Sequence, residues 1–402
     1  KNEIFEQYWN LFHLDSLNGQ WDYIEPALFG HAAGKVIESF FNFNFSNKNT
    51  AIAHFHEWMT GTGVLYLKTK ATYIATVFTT HATIMGRVIA GNHLPLYSQL
   101  KEYRPNLIAK QFNIVAKYSL ERTAAEQADV FTTVSNLTSQ ECEALLQRKP
   151  DVVTPNGFDD SFVPQGNDYT SKRTAARQRL NEVTEAVLGY KVSNPFYVVN
   201  SGRYEFKNKG IDVFIESLKK LQDNQSDREI IAYITVPAHH GDVNAEILHR
   251  LNTKTSGQEP FLLTHHLFDL EYDPLINKLK ENGFDNLQNS NVKIIFAPVY
   301  LDGQDGIFNL SYYDLLIGFD LSVFPSYYEP WGYTPMESLA FSIPTITTNL
   351  AGFGLWISNH VTNGNQGAMI IHRDDDNVNE TINQISDAIK HYYSLDEKQC
   401  LT

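Results

Sequence analysis

The stretch Leu321-Ser-Val-Phe-Pro-Ser-Tyr-Tyr-Glu-Pro-Trp-Gly-Tyr-Thr-Pro-Met-Glu337 runs from a short apolar segment, through a loop punctuated by Pro and Gly, into residues that start a helix. A strand that leads through a loop straight into a helix is the repeating unit of a parallel sheet with crossover helices. The loop then sits at the carboxyl edge of the strand, where open α/β sheets bind ligands. Within it, Thr334 is the expected N-cap, Pro335 takes the first helical position and Glu337 completes a Thr-x-x-Glu capping box. That geometry leaves Glu337 two readings, a helix cap or a ligand contact. It also aims the amides of Gly332, Tyr333 and Thr334 at the strand edge, as an anion site requires. Glu329 lies between Tyr328 and Pro330, where an extended backbone holds its carboxylate ahead of the helix.

Outward from this window the same alternation recurs. Strands are expected at Ala51–His56, Tyr73–Thr79, Val130–Val134 and Val152–Thr154, with helices over Lys110–Ala128 and, from a Thr138/Glu141 capping box, over Thr138–Arg148. After a connection at Phe158–Asn167 a second series follows, with strands at Phe196–Asn200, Ile230–Val236, Val292–Ala297, Leu321–Phe324 and Thr345–Thr347. Helices are expected there near Ile211–Leu221, Ser311–Ile317 and Thr334–Phe341. The fold class is α/β: two Rossmann-like domains, 1–163 and 164–402, facing each other across a cleft, the second with an insertion near 237–290. The Asn-Phe alternation at Phe41–Phe45 reads as an edge, and Asp374–Asp376 as a solvated loop.

Composition excludes several classes. The 402 residues, 43% hydrophobic, can bury full-sized cores, and 32 Lys+Arg against 46 Asp+Glu give a net charge of −14 with no basic stripe to track a phosphate backbone. No nucleic-acid partner is expected. No apolar run reaches the roughly eighteen residues that span a bilayer, so no membrane partner is expected either. The two cysteines, Cys142 and Cys400, fit neither a zinc ligand set nor a disulfide framework, which places the chain in the reducing cytoplasm.

A second loop, Ser201-Gly-Arg-Tyr-Glu-Phe-Lys-Asn-Lys-Gly210, follows a strand in the same way. The guanidinium of Arg203 and the ammonium of Lys209 suit a diphosphate leaving group, although solvated loop cations would look the same. One charge pair ~4 Å apart at an effective dielectric of about 20 is worth on the order of 4 kcal/mol. Glu205 and Lys207 are assigned to solvent. In Ala53-His-Phe-His-Glu-Trp58 the two histidines share one face of a strand end, with Phe55 and Glu57 opposite. Thr60 stands where a His-Glu-x-x-His site would have its second histidine, so no metal is expected. His56 either bonds a sugar hydroxyl or is satisfied within the core; His81 has the same two readings. Tyr312 either stacks on a planar base or is an ordinary half-buried tyrosine. Asn156-Gly157 and Ala351-Gly-Phe-Gly354 are either ordinary strand-end turns or loops that approach a ligand through their glycines.

Tyr328–Glu337, with Gly202-Arg-Tyr-Glu205 and Asn208-Lys-Gly210, resembles the glycogen synthases of the animal and fungal type, retaining glucosyltransferases of the GT-B fold. Similar windows at Ala53–Trp58, Phe78–Gly86, Leu120–Val134, Lys149–Gly157 and Thr347–Gly354 keep the same order. The resemblance implies transfer of glucose from UDP-glucose, with retained configuration, to the non-reducing 4-hydroxyl of an α-1,4-glucan such as glycogen. It implies that Arg203 and Lys209 neutralise the diphosphate, that Glu329 lies at the reacting sugar and that His56 touches the glucose. By the same resemblance Glu337 holds donor hydroxyls, Gly332, Tyr333 and Thr334 hold phosphate through their backbone, and Tyr312 stacks on the base. It implies neither a metal nor any other cofactor.

Against that family the chain is expected to be a fragment, truncated at both termini. It lacks the first strand and the Gly-Gly loop over the donor phosphates, and the arginine-rich helix of glucose 6-phosphate regulation would lie near or beyond Thr402. The tetramer-supporting insertion is shortened between Pro237 and Ser290, which leaves a homo-oligomer open. Two enzyme alternatives stand beside the main reading: an ADP-glucose-dependent glucan synthase or another retaining GT-B transferase, and a glycosidase using Glu329 and Glu337. An inactive glucan-binding or regulatory protein is the alternative of another class.

Overall fold

Strands rich in Val, Ile, Phe and Thr, separated by helices, leave little choice but parallel pairing, and the computed structural model shows it throughout both sheets that carry sites. It describes residues 1–46, 49–222, 228–361 and 367–395; Cys400 lies outside them. The chain divides into two units, Lys1–Asn156 and Gly157–Thr402.

In the first unit β1 (Ala51–His56), β2 (Ile74–Thr80), β3 (Val130–Thr133) and β4 (Val152–Val153) form a four-stranded sheet in that order. The register sets Phe55 beside Phe78 and His56 beside Thr79. Burial alternates along β1, so Phe55 enters the core while His54 and His56 stand exposed. Helices Asn2–Phe12 and Trp21–Asn44 precede the sheet and pack through Tyr8, Tyr23 and Ala27 onto Trp58, Leu65 and Leu120. The Asn-Phe repeat near residue 43 is therefore the last turn of a helix and not an edge. The segment expected as one helix over 110–128 is two, Pro105–Gln111 and Val115–Gln127, because Asn113 turns to a positive φ of 54° between them. The helix expected from Thr138 starts earlier: Ser135 caps Asn136–Glu141, its Oγ accepting the Thr138 amide at 3.1 Å, and a π-turn over Cys142–Leu146 continues it. Glu141 is thereby freed from capping and bonds Thr83 instead.

The second unit opens with a 23-residue helix, Gly166–Leu188, which begins at the end of the expected connection Phe158–Asn167 and runs through a stretch to which the sequence assigned no element. Its Arg173 and Arg177 donate to Asp320, at 3.1 and 2.6 Å, which also accepts the Tyr197 amide at 2.8 Å. Then come β5 (Phe196–Ser201) and β6 (Ile230–Thr235), an antiparallel ribbon of β7 (His240–Val243) and β8 (His265–Leu267), and β9 (Val292–Phe296), β10 (Leu321–Phe324), β11 (Thr345–Thr348) and β12 (Ala368–Ile371). The main sheet has the order β12-β11-β10-β5-β6-β9, and every pairing is parallel. From β5 the chain runs outward through β6 and β9, then returns to β10 and runs the other way, so β5 and β10 flank the topological switch point. The ribbon and helices Ala245–Thr253 and Pro274–Glu281 fill the region read as an insertion.

Candidate active site

The loops after β5 and β10 meet at the switch point. The carbonyl of Asn208 accepts both the Tyr327 and Tyr328 amides, at 2.8 and 3.1 Å, stapling one loop to the other. The approach demands glycine at 210: its φ is 68°, and a Cβ there would lie 2.0 Å from the Pro325 carbonyl oxygen. The guanidinium of buried Arg373 donates to that same carbonyl. On the far side, the Glu329 carbonyl accepts the Gly352 amide at 2.9 Å and the Trp331 carbonyl accepts the Phe353 amide at 2.7 Å. Three neighbouring segments thus fix the loop that carries Glu329.

The consequence is a direct ion pair between Lys209 Nζ and Glu329 Oε2, each side chain 14% exposed. Arg203, in the same loop as Lys209, is 64% exposed and pairs with Glu205 at 3.1 Å, so Glu205 is not left to solvent. Lys207 likewise pairs with Asp212 at 2.7 Å.

The helix after Glu329 begins two residues earlier than its sequence suggests. Gly332, at φ 102°, is the N-cap of helix Tyr333–Ala340 and offers no side chain for capping. Thr334 is consequently inside the first turn, and Glu337 makes no capping box. Its Oε1 accepts instead from the Tyr313 hydroxyl at 2.9 Å. Burial holds the Glu337 carboxyl above the usual carboxylate range, and the phenol works against that rise. Tyr313 itself is pushed up to about 12 by burial and by the Glu337 charge. The half-buried Tyr312 bonds Ser201 Oγ through its hydroxyl at 2.9 Å, which anchors its ring beside the start of the Arg203 loop. The first-turn amides of helix Tyr333–Ala340 have no acceptor within the helix, and its dipole adds partial positive charge there.

The second unit therefore brings together Lys209, Glu329, Gly332, Tyr333 and Thr334, with Glu337 and Tyr312 tied in through Tyr313 and Ser201. His56 belongs to the first unit, where its Nδ1 contacts His81 Nε2 at 3.0 Å and burial together with His81 lowers its pKa. Among the described residues, no group of three or more His, Cys, Asp and Glu converges as a metal ion would need. Sequence reading passed over Tyr313 and Arg373, and it took Asn208 only as part of a motif, since each acts through a hydroxyl, a buried contact or a carbonyl that only the fold assembles.

Two α/β units with parallel sheets and a ligand edge at the switch point define the GT-B class of glycosyltransferase folds. The α,α-trehalose 6-phosphate synthase of Burkholderia multivorans superposes with a TM-score of 0.56 at 9% identity, over 100% of this chain and 76% of that one. The catalytic domain of Arabidopsis thaliana starch synthase IV, bound to ADP and acarbose, superposes with a TM-score of 0.50 at 14% identity, over 95% and 73%. At such identities the likeness is one of fold. The glycogen synthase family model matches residues 2–259 and 247–402, and the chain belongs to that family. It is 29% identical to the glycogen [starch] synthase of Neurospora crassa, over 99% of this chain and 65% of the relative. The liver glycogen [starch] synthase of Mus musculus is 30% identical over 87% of this chain and 58% of its own length. The chain thus spans less than two thirds of the curated relatives it matches.

Proposed function

We propose that this chain carries a retaining glucosyltransferase activity, moving glucose from UDP-glucose to the non-reducing 4-hydroxyl of an α-1,4-glucan. The observation that carries the reading is the Lys209–Glu329 pair, held at the switch point beside the N-terminus of helix Tyr333–Ala340. Breaking the bond between glucose C1 and the diphosphate oxygen leaves negative charge on the phosphate. Lys209, Arg203 and the amides of Gly332, Tyr333 and Thr334 are the groups assigned to stabilise it. Glu329 stabilises positive charge developing on the sugar. The acceptor oxygen attacks C1 from the face the diphosphate leaves, and its proton passes to the departing phosphate oxygen. Glu337 holds donor hydroxyls, Tyr312 stacks on the base and His56 contacts the glucose. No metal is assigned a role, because two cations and a helix N-terminus supply the positive potential a divalent ion gives elsewhere.

Family membership and the chemistry of the residues in both loops support this reading. Among the described residues no helix is long and apolar enough to cross a membrane. The chain's two cysteines, Cys142 and Cys400, support a reducing, cytoplasmic setting. Substitution separates the roles. Lys209→Ala is expected to lower kcat/KM about a hundredfold or more, on the order of 3 kcal/mol, with the loss carried by kcat. Glu329→Gln is expected to lower kcat with little change in KM for glucan. A Lys209→Ala protein with unchanged kcat contradicts the assignment.

A further inference from the structure

Beneath the loop that follows β2 lie three carboxylates that the reaction scheme above does not use. Glu121 and Glu141 are fully buried, and Glu57 is partly so. Glu57 Oε1 accepts the His81 amide at 3.1 Å. Glu121 accepts the Thr80 hydroxyl through Oε1 at 2.8 Å and the Ile84 amide through Oε2 at 2.9 Å. Glu141 Oε2 accepts the Thr83 hydroxyl at 2.8 Å, while Thr83 Oγ1 accepts the Gly86 amide at 2.9 Å and so caps helix Ile84–Gly91. Buried carboxylates are expensive, and an apolar filling would support a loop at lower cost. What carboxylates add is direction, since each oxygen accepts only from donors placed on its lone pairs.

The backbone on the other side is held as tightly. Glu57 adopts a φ of 64°, a region that residues other than glycine rarely occupy. Its amide donates to the Thr79 carbonyl at 2.8 Å, and Thr60 Oγ1 donates to the His56 carbonyl at 2.7 Å. Both ends of the arrangement converge on the contact between His56 Nδ1 and His81 Nε2, in which one ring donates and the other accepts. Such a contact requires at least one neutral imidazole and a matched pair of tautomers.

We propose that Glu57, Glu121 and Glu141 are positioning residues that, by accepting the amide and hydroxyl protons of Thr80–Ile84, hold His81 against His56 and fix the tautomer of the imidazole assigned to the donor glucose. The catalytic consequence rests on the function proposed above; the structural one does not. The charged and titratable groups facing the carboxylates are Arg87, toward Glu57 and Glu121, the Tyr118 phenol, toward Glu121, and the Cys142 thiol, toward all three, while His54 and Arg87 face the histidine pair. Burial, with Glu57 nearby, pushes Glu121 up to about 8.

The test is a long-range proton–nitrogen NMR titration of the full chain labelled at histidine nitrogen, from pH 5 to 9. In Glu57→Ala the midpoints of His56 and His81 are expected to move by about half a pH unit or more, with mixed tautomers. Glu57→Gln, which keeps an acceptor for the His81 amide, should restore the wild-type spectrum. Thr83→Val, which removes the Glu141 contact together with the Gly86 cap, should also move both midpoints, and decides the matter, once its melt shows it folded, if Glu57→Ala does not fold. Unchanged midpoints and tautomers in the folded variants overturn the proposal. In parallel, with UDP-glucose and glycogen, Glu57→Ala should lose about tenfold or more in kcat with KM for UDP-glucose nearly unmoved, and Glu57→Gln should not. A fallen kcat with an unchanged histidine spectrum also overturns it. Absence of turnover in the wild type would instead remove the proposed function and leave the histidine spectra to decide the positioning.

Discussion

Glu337 shows how one hydrogen bond redirects a residue's chemistry. A carboxylate that satisfied its own helix would be spent on the backbone, whereas here it accepts from the Tyr313 phenol. Burial raises its pKa and the phenol opposes the rise, so Tyr313→Phe is expected to push it further up. The sign follows from linkage: a carboxyl raised in the folded state holds its proton there longer, so stability falls as pH rises from the ordinary carboxylate value through the folded one. In Tyr313→Phe that decline extends to higher pH. If ionised Glu337 holds donor hydroxyls, the acid limb of kcat/KM moves up as well, by about half a unit to one unit. An acid limb that stays in place in a pH–rate profile removes Glu337 from donor binding.

At the scale of elements, the site depends on the meeting of the loops after β5 and β10. Gly210→Ala adds a Cβ against the Pro325 carbonyl at a positive φ, and is expected to cost about 2–4 kcal/mol in urea unfolding as well as most of the activity. Wild-type stability in that variant would mean the staple is dispensable. The strands that build this meeting were legible, because buried parallel strands write themselves as apolar runs: Leu321–Phe324 is found with the bounds expected and Phe196–Ser201 extends its expected bounds by one residue. Helix ends were less so. Thr334-x-x-Glu337 satisfies the capping pattern, yet the positive φ of Gly332 starts the helix earlier, a backbone choice that side-chain patterns do not encode. Helix Gly166–Leu188 carries its apolar residues mainly in its second half, behind a polar first half that gives no helical period. Phe41, Phe43 and Phe45 alternate with Asn42 and Asn44 as a strand would, yet on helix Trp21–Asn44 Phe41 is buried and Phe43 exposed. The site loops were legible as motifs. The partners that hold them, Asn208 and Tyr313, were not, since they lie far along the chain from the residues they bind.

Across the whole molecule, charge is distributed so that its few buried ionisable groups govern pH dependence. Glu121, raised to about 8, binds a proton in the folded first unit that the unfolded chain releases near the ordinary carboxylate value. Stability of that unit is therefore expected to fall as pH rises from about 5 to about 8, by up to ~1.4 kcal/mol per pH unit, and Glu121→Gln should flatten the decline. Thermal melts at fixed ionic strength check this, and a pH-independent wild-type melt over that range contradicts it. Glucose transfer itself is read by glycogen-dependent release of UDP from UDP-glucose. Release is expected to require both substrates, to continue in the presence of a chelator, and to fall about a hundredfold or more in Lys209→Ala. Glucose released from glycogen without consumption of nucleotide sugar, or turnover unaffected by Lys209→Ala, would contradict it.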